Sequence, residues 1–155
     1  MTGVPTLSPT TWSDPRVQAL SDAQQAELRD RYDGRGESGT PPTAEDVAVV
    51  LLLTEEDGTP VGCGALRPLE PGVAELKRMY VAPPARGRGL SRLVLTGLED
   101  VARERGWGTL RLETGPLQHE AIALYERSGY RPIEAFGHYR DEPDEWSRYY
   151  EKELA

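Results

Sequence analysis

Arg86-Gly87-Arg88-Gly89-Leu90-Ser91 is a short run of arginine and glycine in a telling position. It follows an alternating, strand-like segment, Glu75 to Val81, and opens an amphipathic run from Leu90 to about Arg105. Pro83 and Pro84 stop the strand, because proline cannot donate to a sheet ladder. Strand, glycine turn and helix start together form a recurring cradle for phosphate. The backbone N–H groups of the turn point outward, and the helix dipole places roughly half a positive charge at that end. Arg86 and Arg88 add charge-assisted contacts to an anion. The competing reading is an ordinary turn carrying surface arginines, and the flanking strand and helix favour the anion site. A Walker-type loop does not fit, since no Lys-Ser or Lys-Thr follows the last glycine.

The elements that must hold this loop are readable in order. Met1 to Trp12 reads as a loose arm with a short strand near Val4 to Leu7. Ser13-Asp14-Pro15 is a helix start, and the run to about Tyr32 carries Val17, Leu20, Ala23, Leu28 and Tyr32 near one face, with a break predicted at Ser21-Asp22. Asp33 to Pro42 is loop by composition. Val47 to Leu53 is continuously apolar and β-branched-rich, the pattern of a strand buried on both faces. Turns at Asp57-Gly58 and Pro71-Gly72 separate strands at Pro60–Arg67 and Val73–Val81, which predicts an antiparallel meander. The helix after the glycine loop has Leu90, Leu93, Val94, Leu98, Val101 and Ala102 on its apolar stripe, with Arg92 and Glu99 facing water and Gly106 ending it. Thr109 to Glu113 is a strand, so strand, helix and strand form a parallel crossover. A helix from Gln118 to Ser128, a strand from Tyr130 to Ala135, a loop from Phe136 to Trp146 and a last strand from Ser147 to Leu154 complete the chain. The fold class is α+β: a mixed, mostly antiparallel central sheet with one parallel βαβ crossover and helices on both faces.

Composition bounds the function. The 155 residues fit a single domain spanning 1–155, with 18 basic against 26 acidic side chains and a net charge of −8. That balance argues against nucleic acid as a partner, which needs a broad basic footprint, and by steering it favours an amine-bearing one. No apolar run approaches the ~20 residues that cross a bilayer, and the first residues lack the pattern of a signal peptide, so the expected compartment is the cytoplasm without membrane contact. A single cysteine, Cys63, and only His119 and His138 argue against a bound metal.

Two segments of the chain resemble the GCN5-related N-acetyltransferase (GNAT) superfamily. One is Met79-Tyr80-Val81, then Pro83 and Arg86-x-x-Gly89-x-Ser91, which differs from the family loop only in Ser91, where Gly or Ala is usual. The other is Ala121-x-x-Leu124-Tyr125-Glu126-x-x-Gly129-Tyr130, preceded by Gln118 where the family often has Asn. The resemblance implies transfer of an acetyl group from acetyl-CoA to the amine of a small molecule or peptide. It implies a pyrophosphate held by Arg86, Gly87, Arg88, Gly89, Leu90 and Ser91, and a pantetheine arm paired with the main chain of Met79, Tyr80 and Val81. Gln118 and Tyr125 complete the expected cofactor contacts. A homodimer is one assembly it allows.

Three side chains are candidates for proton transfer. The resemblance makes Tyr125 the acid that protonates the departing thiolate; the plain alternative is a core aromatic. The attacking amine must shed a proton, and Glu75 or Glu113 could take it, directly or through water. In a regular strand Glu75 shares a face with Lys77, Met79 and Val81, and its alternative is a carboxylate paired with Lys77. Glu113 ends the strand that should splay from the one carrying Glu75. Glu27, Arg31 and Tyr32 on one side, and Phe136, Tyr139 and Trp146 on the other, are candidates for the amine pocket, although covering the sheet edge is the preferred reading of the aromatic group. A non-catalytic acyl-CoA-binding regulatory module is the alternative function.

Overall fold

The computed structural model describes residues 4–35, 37, 39–141 and 144–154. Val49–Thr54 (β2), Pro60–Glu70 (β3) and Val73–Val81 (β4) form the predicted meander. Its two turns place Gly58 at φ +90° and Gly72 at φ +78°, in the left-handed region that glycine enters without a Cβ clash. Thr6–Thr10 (β1) pairs antiparallel with β2, so the arm read as loose is part of the sheet from Thr6 onward. The strand predicted at Val4 to Leu7 lies further along because Leu7 packs inward against the core.

Pro15–Arg31 (α1) starts as predicted, with Asp14 accepting from the Arg16 N–H and proline in the first turn. The break predicted at Ser21-Asp22 is absent. Ser21 is instead a buried acceptor for the Arg78 guanidinium, and the helix runs through it. Of α1, only Val17, Leu20 and Ser21 are buried. Its second half overhangs a cavity, which explains why its apolar stripe fades.

Leu90–Glu104 (α2) covers the opposite face through Leu90, Val94, Leu95, Leu98 and Ala102. The predicted stripe omits the buried Leu95 and errs at Leu93 and Glu99. Leu93 is exposed, and Glu99 is buried, accepting from the Tyr130 hydroxyl at 2.8 Å and the Lys152 ammonium at 3.1 Å. Both partners come from the C-terminal part of the chain, so helical periodicity alone could not reveal them. Thr109–Thr114 (β5) returns parallel to β4, completing the crossover. His119–Arg127 (α3) ends before Gly129, at φ +95°, and leads to Arg131–Ile133 (β6). Arg148–Glu153 (β7) inserts between β5 and β6. The seven-stranded order is β1-β2-β3-β4-β5-β7-β6, and the outer strands contain Pro9 and Pro132.

Two apolar layers follow from strand alternation. Leu53, Leu66, Leu76, Leu110 and Leu112 meet α2 and α3 on one face; Val50, Leu52, Cys63 and Ala65 meet α1 on the other. The expectation of a mixed sheet with helices on both faces holds.

One irregularity rearranges the site. Cys63 pairs with Tyr80 and Ala65 with Lys77, so between them Gly64 of β3 opposes both Arg78 and Met79 of β4. The bulge falls at Arg78, whose φ of +56° is rare for a side chain of its size. An extra residue reverses the alternation beyond it. Met79 and Val81 therefore join the α2 layer, whereas Glu75 and Lys77 lie on the other face. The regular strand that would have grouped all four is not what forms.

Gly64 sits where α2 crosses the sheet most closely. A Cβ there would lie 2.7 Å from Leu98 Cδ1 and 3.0 Å from Val94 Cγ1, and both leucine and valine are fully buried. Gly64→Val should lower unfolding free energy by about 1–3 kcal/mol, read as a lower urea midpoint with an unchanged slope.

Candidate active site

Beyond Glu75 and Arg111, β4 and β5 part. Their register covers only Val73–Glu75 against Thr109–Arg111. A cavity of about 690 Å³ opens in the gap, walled by Leu76–Val81 of β4, by Glu113–Gly115 and by the second half of α1. The glycine loop and the start of α2 close one end. Tyr125 of α3 and Trp146 of the last loop complete the wall.

At the loop end, Gly87 and Gly89 have φ of +82° and +73°, and a Cβ added to either would meet nothing within 4 Å. Among the described residues, no carbonyl or side chain accepts from the N–H of Gly87, Arg88 or Gly89. The N–H groups of Leu90 and Ser91 lie in the first helical turn, where no intrahelical acceptor exists. This is a row of unspent donors at a helix start, the fit an anionic phosphate requires. The arginines divide differently from expectation. Arg88 turns away to Glu55, at 3.0 Å, and does not line the cavity. Arg86 does line it, but its fork grips Glu27 at 2.8 and 3.0 Å, its Nε donates to the Val81 carbonyl, and it covers the Tyr80 ring at 5.4 Å. Arg92 is exposed, as expected, and it also lines the cavity at the start of α2.

Along β4, the Met79 carbonyl accepts from Gln24 Nε2 at 2.9 Å, as the Val81 carbonyl does from Arg86. Both backbone acceptors of the open edge thus have side-chain partners from α1 and the loop. Gln118 is similarly engaged: its Oε1 accepts the Gly115 N–H at 2.8 Å and faces the Tyr32 hydroxyl, so it ties the β5–α3 turn to α1.

Of the proton-transfer candidates, Glu113 and Tyr125 line the cavity and Glu75 does not. Glu75 is fully buried, bonded to Arg67 Nε at 2.9 Å and to the Tyr139 hydroxyl. Lys77 does not pair with it; its ammonium meets Glu37 at 3.4 Å and Tyr139 at 3.3 Å. Glu113 accepts from Ser147 Oγ at 2.8 Å, and burial pushes its carboxyl up to about 7, against the pull of Lys77. Tyr125 is 7% exposed, packs edge-on against Tyr130 at 5.7 Å, and has its hydroxyl held firmly protonated by burial and by Glu113. Among the described residues its hydroxyl has no hydrogen-bond partner.

The candidates for the amine pocket divide between the cavity and the sheet. Glu27, Arg31, Tyr32 and Trp146 line the cavity. Phe136 and Tyr139 form a cluster with Tyr149 that covers the sheet instead. His119 is exposed on α3; His138 receives the Thr40 N–H at 3.1 Å and sits against Arg67. Burial pushes the Cys63 thiol up to about 12, which leaves it unreactive. Gln24, Arg35, Glu37, Arg92 and Ser147 are cavity residues that sequence reasoning missed; only Arg92, one turn past the glycine loop, carried a usable signal. No group of His, Cys, Asp or Glu among the described residues could hold a metal, and no helix is long and apolar enough to cross a membrane.

The model of the acetyltransferase (GNAT) family matches residues 11–130. An IAA acetyltransferase of Azospirillum brasilense is 44% identical over 105 residues, 67% of this chain and 67% of that protein. The chain spans about half the length of other curated relatives it matches, among them N-acetyltransferases of Escherichia coli and Schizosaccharomyces pombe. A Klebsiella pneumoniae structure to which acyl-CoA N-acyltransferase activity has been ascribed superposes with a TM-score of 0.83 and 40% identity, over 97% of this chain and 98% of that one. A GNAT acetyltransferase from Elizabethkingia anophelis, solved with acetyl-CoA bound, shares the fold at a TM-score of 0.71 and 20% identity, over 97% of this chain and 98% of that one.

The raised proton affinity of Glu113 has a consequence for stability. A carboxyl whose folded value lies near 7 rather than 4.5 stabilises the fold below pH ~4.5, and that contribution is lost as pH rises through 7. Glu113→Gln removes the ionisation while its amide can still accept from Ser147. It should raise the melting temperature at pH 8, by a free energy on the order of 2–3 kcal/mol, and leave it nearly unchanged at pH 4. Equal shifts at both pH values would contradict an ionising, partly buried Glu113.

Proposed function

The chain belongs to the GNAT acetyltransferase family, and on that premise we propose that it transfers the acetyl group of acetyl-CoA directly to an amine. The observation that carries this reading is a cavity that joins a row of free N–H donors at a helix start to Glu113 and Tyr125.

Acetyl-CoA supplies a thioester carbonyl. Gly87, Gly89, Leu90 and Ser91 hold its pyrophosphate through their N–H groups, with Arg92 and Arg86 adding charge. Met79 and Val81 present the open edge of β4 to the pantetheine amides, an added-strand mode that reads main chain rather than side chains. For that pairing Gln24 and Arg86 give up the two carbonyls they hold. The released Arg86 then has its guanidinium beside the loop, where phosphate replaces Glu27 as its partner.

Glu113 is the base. Its carboxyl near 7 is deprotonated often enough at neutral pH, and basic enough, to take the proton that the amine loses as its nitrogen bonds to the carbonyl carbon. Glu75 is a poorer choice, being sealed from the cavity and committed to Arg67. Tyr125 donates its hydroxyl proton to the sulfur as the carbon–sulfur bond breaks, and its raised proton affinity keeps that proton available across the neutral range.

Two measurements test these roles. Tyr125→Phe should lower kcat about 10²-fold while the dissociation constant for acetyl-CoA stays the same. The wild-type profile of kcat/KM should fall on the acid side with a midpoint near 7, because Glu113 is active only when ionised; Glu113→Gln should abolish that limb along with most of the activity. Normal turnover by the Tyr125→Phe enzyme would end the case for Tyr125.

A further inference from the structure

The charge of the cavity runs opposite to that of the protein. The chain carries −8 overall, yet seven basic and five acidic side chains line the cavity. The acidic ones are already engaged. Glu27 holds Arg86 at 2.8 Å and Arg31 at 3.4 Å; Glu37 holds Arg78 at 2.7 Å and Lys77 at 3.4 Å. Glu120 reaches Arg31 at 4.0 Å, Asp144 accepts the Trp146 N–H at 2.9 Å, and Glu113 accepts from Ser147. Among the described residues, three cavity guanidinium groups have no carboxylate within 4.0 Å: Arg92, Arg127 and Arg35.

Arg92 and Arg127 belong to α2 and α3, the helices on the Tyr125 face, where the phosphates of the donor bring more than enough negative charge. Arg35 is separate. It follows α1 on the other face and stacks over the Trp146 indole at 5.0 Å from the ring centre, with Tyr32 edge-on to the same ring at 6.3 Å. Stacking fixes the plane of the guanidinium and leaves its N–H fork free, so little side-chain entropy is lost when a planar anion docks. A carboxylate matches that fork bidentately, whereas a second cation would be repelled.

We propose that the acceptor is an amine that also carries a carboxylate, bound through Arg35 with its apolar stem against Trp146 and Tyr32, so that its amino group lies towards Glu113. The proposal rests on the reading of this cavity as the acetyl-acceptor site. It excludes polyamines and simple alkylamines as preferred acceptors, although the acidic surface of the protein would steer them in.

The test compares acids with their uncharged counterparts. Thiol release from acetyl-CoA is followed with α-, β- and longer ω-amino carboxylates and aromatic amino acids, each beside its carboxamide and its decarboxylated amine. At least one acid should exceed its amide tenfold or more in kcat/KM. Arg35→Gln should raise KM for that acid at least tenfold, leave the amide and acetyl-CoA values unchanged, and so erase the preference. Equal use of acid and amide, a preference for polyamines, or an equal loss on both by Arg35→Gln would overturn the proposal. Equilibrium binding of the same acids in the presence of CoA separates it from the catalytic reading. Arg35-dependent binding without turnover would sink the transferase assignment and keep the carboxylate site; acid binding indifferent to Arg35→Gln would sink the site and leave the transferase assignment standing.

Discussion

Everything at this site depends on two neighbouring parallel strands that stay bonded for only three residue pairs. Val73–Glu75 and Thr109–Arg111 share a ladder, and past them β4 and β5 separate. Within a sheet such a parting would ordinarily leave backbone groups unsatisfied, which is costly in a buried place. Here the open edge faces the cavity and is partly capped by Gln24 and Arg86. The gap leaves peptide groups of β4 facing a cavity from inside a sheet. It also places the ends of both strands, with the glycine loop after β4 and the β5–α3 turn, around one space.

The bulge at Arg78 sets the chemistry on either side of that gap. By turning Met79 and Val81 toward α2, it commits Glu75 and Lys77 to a polar layer on the α1 side of the cavity. That layer chains Arg67, Glu75, Tyr139, Lys77, Glu37 and Arg78 through hydrogen bonds and ion pairs. Arg78 accepts a rare backbone angle there, held by Glu37 and by Ser21 of α1. Burying so many charges is not a cheap route to stability, since desolvation opposes each pair. Its effect is to fix geometry next to Glu113 while leaving that carboxylate poorly solvated.

Sequence alone made the framework legible because its signals are local. Alternation in β4, two prolines, the Gly87 and Gly89 turn and the stripe of α2 are all spacings within a few residues, and the crossover and meander follow from them. What stayed hidden depends on contacts between distant segments. Nothing near Glu75 announces the bulge that redirects Met79, and nothing near Glu99 announces Tyr130 and Lys152. Arg88 lies in the loop before α2 and Arg92 in its first turn, and the choice between them was made by Glu55, a residue of the β2–β3 turn. Leu28 and Arg31 look like a fading helix stripe until the cavity beneath them is seen.

The prolines of the outer strands bear on how copies of the protein can meet. Pro9 in β1 and Pro132 in β6 each remove a donor from an edge strand, and β6 is only three residues long. A strand arriving from another molecule finds an interrupted ladder at either end of the sheet. The sheet is therefore terminated on both sides, and growth by edge-on stacking, the usual first step toward insoluble β-aggregates, meets a broken template at each edge. The open stretch of β4 lies instead in the interior, where α1 shields it from another chain.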